Sequence, residues 1–227
     1  MTNDADINNQ AKTGTPTERE RMLAGELYNV ADPELDALRT KSRALWTRFN
    51  ALTPDATEER EATLRELLGG CGERPGFLGP VFFDYGCHTI IGDDVFANFN
   101  FTVLDCNWVR IGSNTMFGPN VTIAPPLHPL RWQERNTRVA ADGTRFDYEY
   151  GAPITIGANC WIASNVTICG GVTIGDGCVI GAGSVVTKSI PANSLAVGVP
   201  ARVVREITDD DAMELPDRVP EAPGQPR

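Results

Sequence analysis

Apolar residues recur every six positions through the C-terminal half of the chain. In the six hexads that begin at Ile156, the first position is aliphatic, the second is usually Gly or Ala, and the fifth is mostly small or β-branched. We predict that the first and fifth positions of each hexad point inward. These positions are Ile156, Ile162, Ile168, Ile174, Ile180 and Val186, and Cys160, Val166, Val172, Cys178, Ser184 and Ile190.

An earlier block follows the same rule, slightly out of phase over 97–110, with first positions at Ile91, Ile111, Phe117 and Ile123. Six residues suit one short strand and a tight corner, so three hexads would close a triangular coil of about 18 residues. The second-position Gly and the Asn or Gly two residues later are expected to adopt left-handed backbone conformations at the corners. An antiparallel sandwich would instead need turns roughly every 8 to 12 residues. The predicted fold class is mainly β: a left-handed parallel β-helix of hexapeptide repeats, with an N-terminal α-helical segment and one long excursion loop.

Helical patterning precedes the repeats. Thr17 and Glu20 form a capping-box signature for a first helix that ends near Tyr28, Asp32 stands before a proline at the start of a second helix, and a third surrounds Leu64. For Asp32 we favour a helix cap over a binding role. The predicted organisation is a mobile tail at 1–15, a helical cap region at 16–70, the β-helix at 71–207 with its loop at 125–153, and an acidic, Pro-rich tail at 208–227.

Composition narrows the possible functions. The 227 residues include 20 Lys and Arg against 30 Asp and Glu, a formal net charge of −10, which argues against nucleic acid as a partner. No apolar run approaches the ~18 residues of a membrane span, and the polar start does not resemble a secretion signal, so we expect a soluble, cytoplasmic protein. The six cysteines form no CxxC pair and predict free thiols. With only two histidines a three-histidine zinc site is excluded, and we expect no metal.

The six-residue regularity stops at Ala124 and resumes at Ile154. An excursion much longer than ~12 to 15 residues in a compact domain is usually functional or disordered. This one contains His128, and the neighbouring prolines stiffen the chain in a way that would fix an imidazole for proton transfer. The alternative is a surface histidine that happens to lie beside prolines. His88, in G-C-H-T-I-I-G, has no such setting, and we interpret it as structural.

Several motifs together resemble one family, the hexapeptide-repeat acyltransferases, and within it the galactoside, maltose and nodulation-factor sugar O-acetyltransferases. The resemblance covers most of 17–207. It is carried by M-L-A-G-E-L-Y (22–28), F-F-D-Y-G (82–86), F-A-N-F-N (96–100), the H-P of the loop, I-T-I-G-A-N-C-W-I-A-S (154–164), G-A-G-S-V-V-T-K (181–188) and G-V-P-A-R-V-V-R-E-I (198–207).

The resemblance implies an acetyl-CoA-dependent O-acetyltransferase in which His128 is the general base and a backbone N–H near Ser164 stabilises the oxyanion. We expect direct transfer without an acyl-enzyme, and a homotrimer with sites at subunit interfaces. The positions matching the family's coenzyme groove are Trp161, Ser164, Ala182, Thr187, Lys188, Arg202 and Arg205. Charge agrees, since 154–207 contains three basic and two acidic residues and could bind coenzyme phosphates. Alternatively, these basic residues only keep a terminal coil soluble.

The acceptor should be a sugar or another hydroxylated small molecule, contacted by Asp84, Asn98 and Asp105. Glu149 re-enters the coil near the catalytic histidine and would bind substrate or orient the ring. The galactoside branch has two adjacent carboxylates where this chain has Asp105 followed by Cys106, so galactoside specificity is not expected to carry over. Two alternatives stay open: the same chemistry on an antibiotic or amine, and a non-catalytic β-helix scaffold.

Overall fold

The computed structural model describes residues 15–214. Its helices are α1 (Glu18–Ala24), α2 (Pro33–Ala51), α3 (Thr57–Leu67) and α4 (Trp132–Arg135), and a 3-10 turn covers Asp209–Asp211. The predicted capping box at Thr17 is present. The helix ends at Ala24 rather than near Tyr28, because Gly25 adopts a left-handed conformation (φ 77°) that closes it. Asp32 caps α2 as expected, accepting hydrogen bonds from the backbone N–H groups of the first helical turn.

Short strands make up the rest of the chain. In chain order they are β1 (Tyr28–Asn29), β2 (Gly70–Cys71), β3 (Gly76–Phe77), β4 (Val81–Phe83), β5 (Thr89–Ile91), β6 (Phe96–Ala97), β7 (Phe101–Val103), β8 (Val109–Ile111), β9 (Met116–Phe117), β10 (Thr122–Ala124), β11 (Pro126–Leu127), β12 (Arg138–Val139), β13 (Arg145–Phe146), β14 (Tyr148–Gly151), β15 (Ile154–Ile156), β16 (Trp161–Ile162), β17 (Thr167–Cys169), β18 (Thr173–Ile174), β19 (Val179–Ile180), β20 (Val185–Val186), β21 (Ser194–Gly198) and β22 (Ala201–Glu206).

Most of these strands stack into three parallel sheets, which are the faces of a solenoid. The first sheet has the order β18-β15-β8-β5-β2, the second β22-β21-β19-β16-β9-β6-β3, and the third β20-β17-β10-β7-β4. Only β22 joins antiparallel, on β21. The parallel-strand solenoid is confirmed, and the left-handed sense of its winding stays a prediction. The last helix of the cap, α3, ends at Leu67, and the first solenoid strand, β2, begins at Gly70.

The core follows the hexad rule. Every predicted inward position from Ile156 to Ile190 is between 0 and 5% exposed, and so are the earlier first positions. Cys160 and Cys178 fill the interior as small apolar side chains. All six cysteines, each within the described residues, are free thiols.

At the corners, one part of the prediction is confirmed and one part is wrong. The Asn two residues after the hexad's second position is left-handed, as at Asn159 and Asn165 (φ 59° each). The second-position Gly is not in that region. A Cβ atom at Gly157 would lie 2.2 Å from Asp176 Oδ1 and 2.6 Å from the Asp176 backbone N, so glycine is needed for the close approach of successive coils.

One corner of the solenoid is longer than the others in the first coils. The link from the third sheet to the first has five residues at 84–88 and 104–108, but three at 170–172. In the coil between 104–108 and 170–172, the same link is the excursion, 125–153. We call 84–88, 104–108 and the excursion together the inserted corner. The corner at the other end of the third-sheet strands, 98–100, 118–121, 163–166 and 181–184, is called the opposite corner.

The excursion is folded and is attached to the helical cap. Its last strand, β14, pairs antiparallel with β11 on one side and with β1 of the cap on the other. The side chain of Asn107 joins the three parts, because its Nδ2 donates to the carbonyl oxygens of Met22 and Gly151 at 3.1 Å each. Across 15–214, no helix is long and apolar enough to cross a membrane.

Candidate active site

The small sheet of the excursion positions the predicted base. Leu127 pairs with Tyr150, so His128 follows the strand β11 directly and its ring faces Glu149 on β14. The distance from His128 Nε2 to Glu149 Oε2 is 3.6 Å. The His128 side chain is 47% exposed and that of Glu149 is 15% exposed. The ring is therefore accessible to a substrate, while the carboxylate beside it is largely enclosed.

The carboxylate of Glu149 is bound by one residue of the helical cap and one residue of the solenoid. The hydroxyl of Tyr28 donates to Glu149 Oε1 at 2.5 Å, and the thiol of Cys106 interacts with the same carboxylate. Burial is the largest cause that raises the pKa of the Tyr28 hydroxyl and of the Cys106 thiol, so both groups keep their protons and act as donors. Neither residue was predicted for the site, although Tyr28 ends the M-L-A-G-E-L-Y motif.

Asp84 lies half-buried at the start of its link in the inserted corner. Burial, followed by the negative charges of Asp105 and Glu149, raises its pKa to about 6, and Arg39 and Arg43 oppose that shift. The predicted acceptor residue is therefore part of a group of carboxylates that gather where the repeat is broken. Such oxygens accept hydrogen bonds from hydroxyl or ammonium groups.

Asp105 does not reach this surface, and its predicted contact with the acceptor is not supported. It is fully buried, and its carboxylate accepts hydrogen bonds from the backbone N–H groups of Tyr85 (2.8 Å) and Gly86 (3.0 Å) and from Thr89 Oγ1 (3.0 Å). These bonds hold the five-residue link 84–88 in shape. The next residue along the chain, Cys106, is the one directed at Glu149.

His88 is structural, as interpreted from the sequence. The ring is fully buried and lies between Tyr85 and Trp108, with centroid distances of 5.2 and 5.7 Å. Burial lowers the pKa of His88, so the ring is neutral and its Nδ1–H donates to the backbone carbonyl of Asp105 at 2.9 Å.

The remaining acceptor candidate, Asn98, lies at the opposite corner, where its Oδ1 accepts from the backbone N–H of Phe99 at 2.8 Å. The coenzyme candidates Ser164 and Ala182 stand at the same corner. Within one chain, the strands of the third sheet separate this corner from His128. A single chain therefore does not bring the proposed base and these residues together.

The other coenzyme candidates are distributed over the last coils. Trp161, on β16, is 51% exposed, and Thr187 and Lys188 are exposed after β20. Both arginines are on β22, but Arg205 is bound by Asp211 through two contacts of 2.6 and 2.7 Å, so its charge is compensated. Lys188 and Arg202 have no acidic partner within 15–214. The cationic patch predicted from the sequence thus reduces to these two side chains.

The described part of the chain contains no group of three His, Cys, Asp or Glu side chains arranged to hold a metal ion. These surfaces carry the imidazole of His128 beside Glu149, the partly enclosed carboxylate of Asp84, and the exposed aromatic and basic side chains of the last coils.

Two sequence families match the chain. The family described as maltose acetyltransferase hexapeptide capping motif matches 21–72, and the bacterial transferase hexapeptide family, with six repeats, matches 153–188. The galactoside O-acetyltransferase of Escherichia coli K12 is 43% identical over 192 residues, which are 85% of this chain and 90% of that protein.

Solved structures agree with this. A galactoside acetyltransferase in complex with coenzyme A superposes with a TM-score of 0.80 at 40% identity, covering 92% of this chain and all of that one. A maltose O-acetyltransferase from Clostridium difficile 630 gives a TM-score of 0.79 at 41% identity, covering 86% of this chain and all of that one.

Proposed function

We propose that this chain, which belongs to the hexapeptide-repeat acetyltransferase family of the galactoside and maltose O-acetyltransferases, acetylates a hydroxyl group. The proposed acceptor is a sugar or a similar polyol. The broader activity, acetyl-CoA-dependent O-acetyl transfer, follows from the family. The nature of the acceptor, the role of His128 and the course of the reaction are the proposal.

The proposed mechanism starts from the poor nucleophilicity of a neutral hydroxyl. His128 takes the hydroxyl proton as the oxygen attacks the thioester carbonyl. A C–O bond forms, the C–S bond breaks, and the proton passes from the imidazole to the departing thiolate of coenzyme A. The observation that carries this assignment is the half-exposed ring of His128 held 3.6 Å from an enclosed carboxylate, Glu149. No side chain needs to be acetylated on the way.

The site is proposed to be completed by a second copy of the chain in a homotrimer. The inserted corner and the opposite corner stand at the two ends of the same third-sheet strands, so the backbone N–H near Ser164 can approach His128 only from a neighbouring subunit. Large apolar side chains support such packing, since Met116 and Trp161 are neighbours across the second sheet and are 50% and 51% exposed. The left-handed winding and a cytoplasmic location are part of the same proposal.

The last coils fit coenzyme A in chemical terms. Lys188 and Arg202 are exposed cations that suit phosphate oxygens, and Trp161 offers an exposed aromatic surface in the same coils. Thr187 supplies a hydroxyl, and Ala182 leaves room at the opposite corner. Arg205 is proposed only as a weaker contributor, because it is paired with Asp211.

On the acceptor side, Asp84 and Glu149 are proposed to bind hydroxyl groups, with Asn98 contributed by the neighbouring subunit. The same two carboxylates favour a second candidate, an acceptor that carries an amino group, because a bound ammonium would compensate the partly buried charge of Asp84. A non-catalytic scaffold predicts no coenzyme A binding and no turnover.

The test measures release of free thiol from acetyl-CoA over a panel of mono-, di- and aminosugars and aminoglycosides. Wild type should turn over a polyol acceptor, and His128→Ala should lower kcat by roughly 10²- to 10⁴-fold. Gln133→Ala, an exposed change in α4 of the same excursion, is the matched control and should keep full activity. Equal turnover by His128→Ala would contradict the assignment of the base, and acetylated protein on mixing with acetyl-CoA alone would contradict direct transfer.

A further inference from the structure

We propose that Tyr28 is a positioning residue for the acetyl transfer: its hydroxyl fixes Glu149 so that the second carboxylate oxygen faces His128. The inference rests on the proposed function. It assigns part of the catalytic geometry to the helical cap, which lies outside the solenoid that carries the repeats.

The geometry is a short chain of contacts across the cap and the excursion. Tyr28 lies directly opposite Glu149 in the antiparallel pair of β1 and β14, so both side chains stand on the same face of the small sheet. The hydroxyl donates to Oε1 at 2.5 Å, and Oε2 is 3.6 Å from His128 Nε2. One oxygen of the carboxylate is therefore bound by the cap and the other faces the loop histidine, and the Cys106 thiol interacts with the same carboxylate.

The position of the hydroxyl is set by packing inside the cap. Tyr28 is 1% exposed and belongs to a buried cluster with Met22, Leu35, Tyr85 and Cys106. A buried aromatic ring has little rotameric freedom, whereas a glutamate side chain has several rotamers. The tyrosine is thus the rigid partner, and the direction of the carboxylate depends on it.

A merely structural role would look different. If Tyr28 only joined β1 to β14, its loss would affect stability and leave His128 unchanged. If it acts through Glu149, the loss of its hydroxyl must change the surroundings of the His128 ring. The chain has two histidines, and His88 is fully buried at the neighbouring link, so the ring signals of the two can be compared in one NMR spectrum.

The experiment compares Tyr28→Phe, Glu149→Gln and the double variant in the full chain. We expect Tyr28→Phe to lower kcat roughly tenfold with an unchanged KM for acetyl-CoA, in the range seen when a residue that orients a site group is removed. Glu149→Gln should lower kcat at least as much. The double variant should be no slower than Glu149→Gln alone, since the two residues act as one unit.

The second readout is the ring Cε1–H signal of His128 without substrate, which needs no turnover. Tyr28→Phe and Glu149→Gln should displace it in the same direction. The matched control is Tyr148→Phe, on the same strand, whose ring packs on Phe146 at a centroid distance of 5.4 Å and keeps that contact as phenylalanine. It should leave kcat and the His128 signal as in wild type.

Multiplying losses in the double variant, or a His128 signal that moves in Glu149→Gln but not in Tyr28→Phe, would overturn the assignment. So would equal effects of Tyr28→Phe and Tyr148→Phe. If the His128 signal responds as expected but no acceptor is acetylated by any variant, the proposed function fails and Tyr28 is a structural anchor. A fall in kcat together with loss of the folded spectrum would also reduce Tyr28 to a structural role.

Discussion

The coils before the excursion and those after it use the same hexapeptide rule, but only the earlier ones place polar side chains, Asp84 and Cys106, near the Glu149 carboxylate of the excursion. They differ at one corner. The first two links there have five residues and include Asp84, Asp105 and Cys106, while the link after the excursion has three, Gly170 to Val172. The two additional residues in each of these links let the solenoid place polar side chains at positions that the regular hexads fill with core or solvent-exposed residues.

The three-residue link at 170–172 allows the coil after the excursion to pack closely against the start of the excursion. A Cβ atom on Gly170 would lie 2.6 Å from the carbonyl oxygen of Pro125, so the regular coil packs tightly beneath the root of the excursion. The later coils thus support the loop that carries His128, and the earlier coils supply the polar groups beside it. Regular repeats give rigidity, and chemistry is placed where their period is interrupted.

The largest effect on activity should come from inactivating the inserted corner in one variant and the opposite corner in another. His128→Ala damages the inserted corner, and Ala182→Trp fills the exposed opposite corner. Each variant alone should lose activity by roughly 10²-fold or more. Co-refolded trimers of the two variants should regain about one quarter of wild-type activity, because random assortment leaves about that share of interface sites intact.

The control for this complementation is a mixture of Ala182→Trp with a chain that carries both substitutions, in which no interface has an intact opposite corner. It should show no recovery. A mixture of the single variants that stays inactive, or a protein that runs as a monomer at assay concentration, would contradict an interface site. Full activity of Ala182→Trp would remove Ala182 from the coenzyme groove.

A smaller effect on the free energy of unfolding should distinguish the inserted corner from the regular coils. Asp105→Ala leaves buried donors at Tyr85, Gly86 and Thr89 without an acceptor, so we expect a loss of at least about 3 kcal/mol. Cys178→Ala, a matched truncation in the regular core, should lose about 1 kcal/mol. Denaturant unfolding measures both. Equal losses would mean that the carboxylate does not brace the link.

The regular features could be predicted from the sequence because they depend on local rules. Inward positions follow from strand alternation, the cap at Asp32 from the chemistry of its own side chain, and the left-handed Asn159 from backbone sterics. Gly157 was misinterpreted for the opposite reason. Its requirement comes from Asp176 in the next coil, which lies 19 positions away in the sequence and touches it only after stacking.

The site was only partly predictable because it depends on which way adjacent residues point. Asp105 and Cys106 are neighbours in the chain, yet one is turned into the link and the other toward Glu149. The five-residue link breaks the hexad period, so no pattern indicates which side chain faces outward. Tyr28 was missed because only the pairing of β1 with β14 places it beside Glu149.

The smallest expected effect concerns the carboxylate of Asp84 and its dependence on pH. Burial, Asp105 and Glu149 raise its pKa to about 6, above the ordinary value of 3.8, so the folded state binds the proton more tightly than the unfolded state. The charged form therefore destabilises the fold above about pH 6, and this effect disappears below about pH 4. Asp84→Asn should stabilise the protein by up to about 3 kcal/mol at pH 8 and by little at pH 4, while lowering acetyl transfer. Asp211→Asn should instead destabilise the protein at both pH values, because Arg205 lowers the pKa of Asp211 to about 2 and the stability from that carboxylate is lost only as the pH falls from about 4 to about 2. Denaturant unfolding of the three proteins at both pH values measures the difference, and a stability gain for Asp84→Asn that is the same at pH 4 and pH 8 would show that the partly buried charge is not its source.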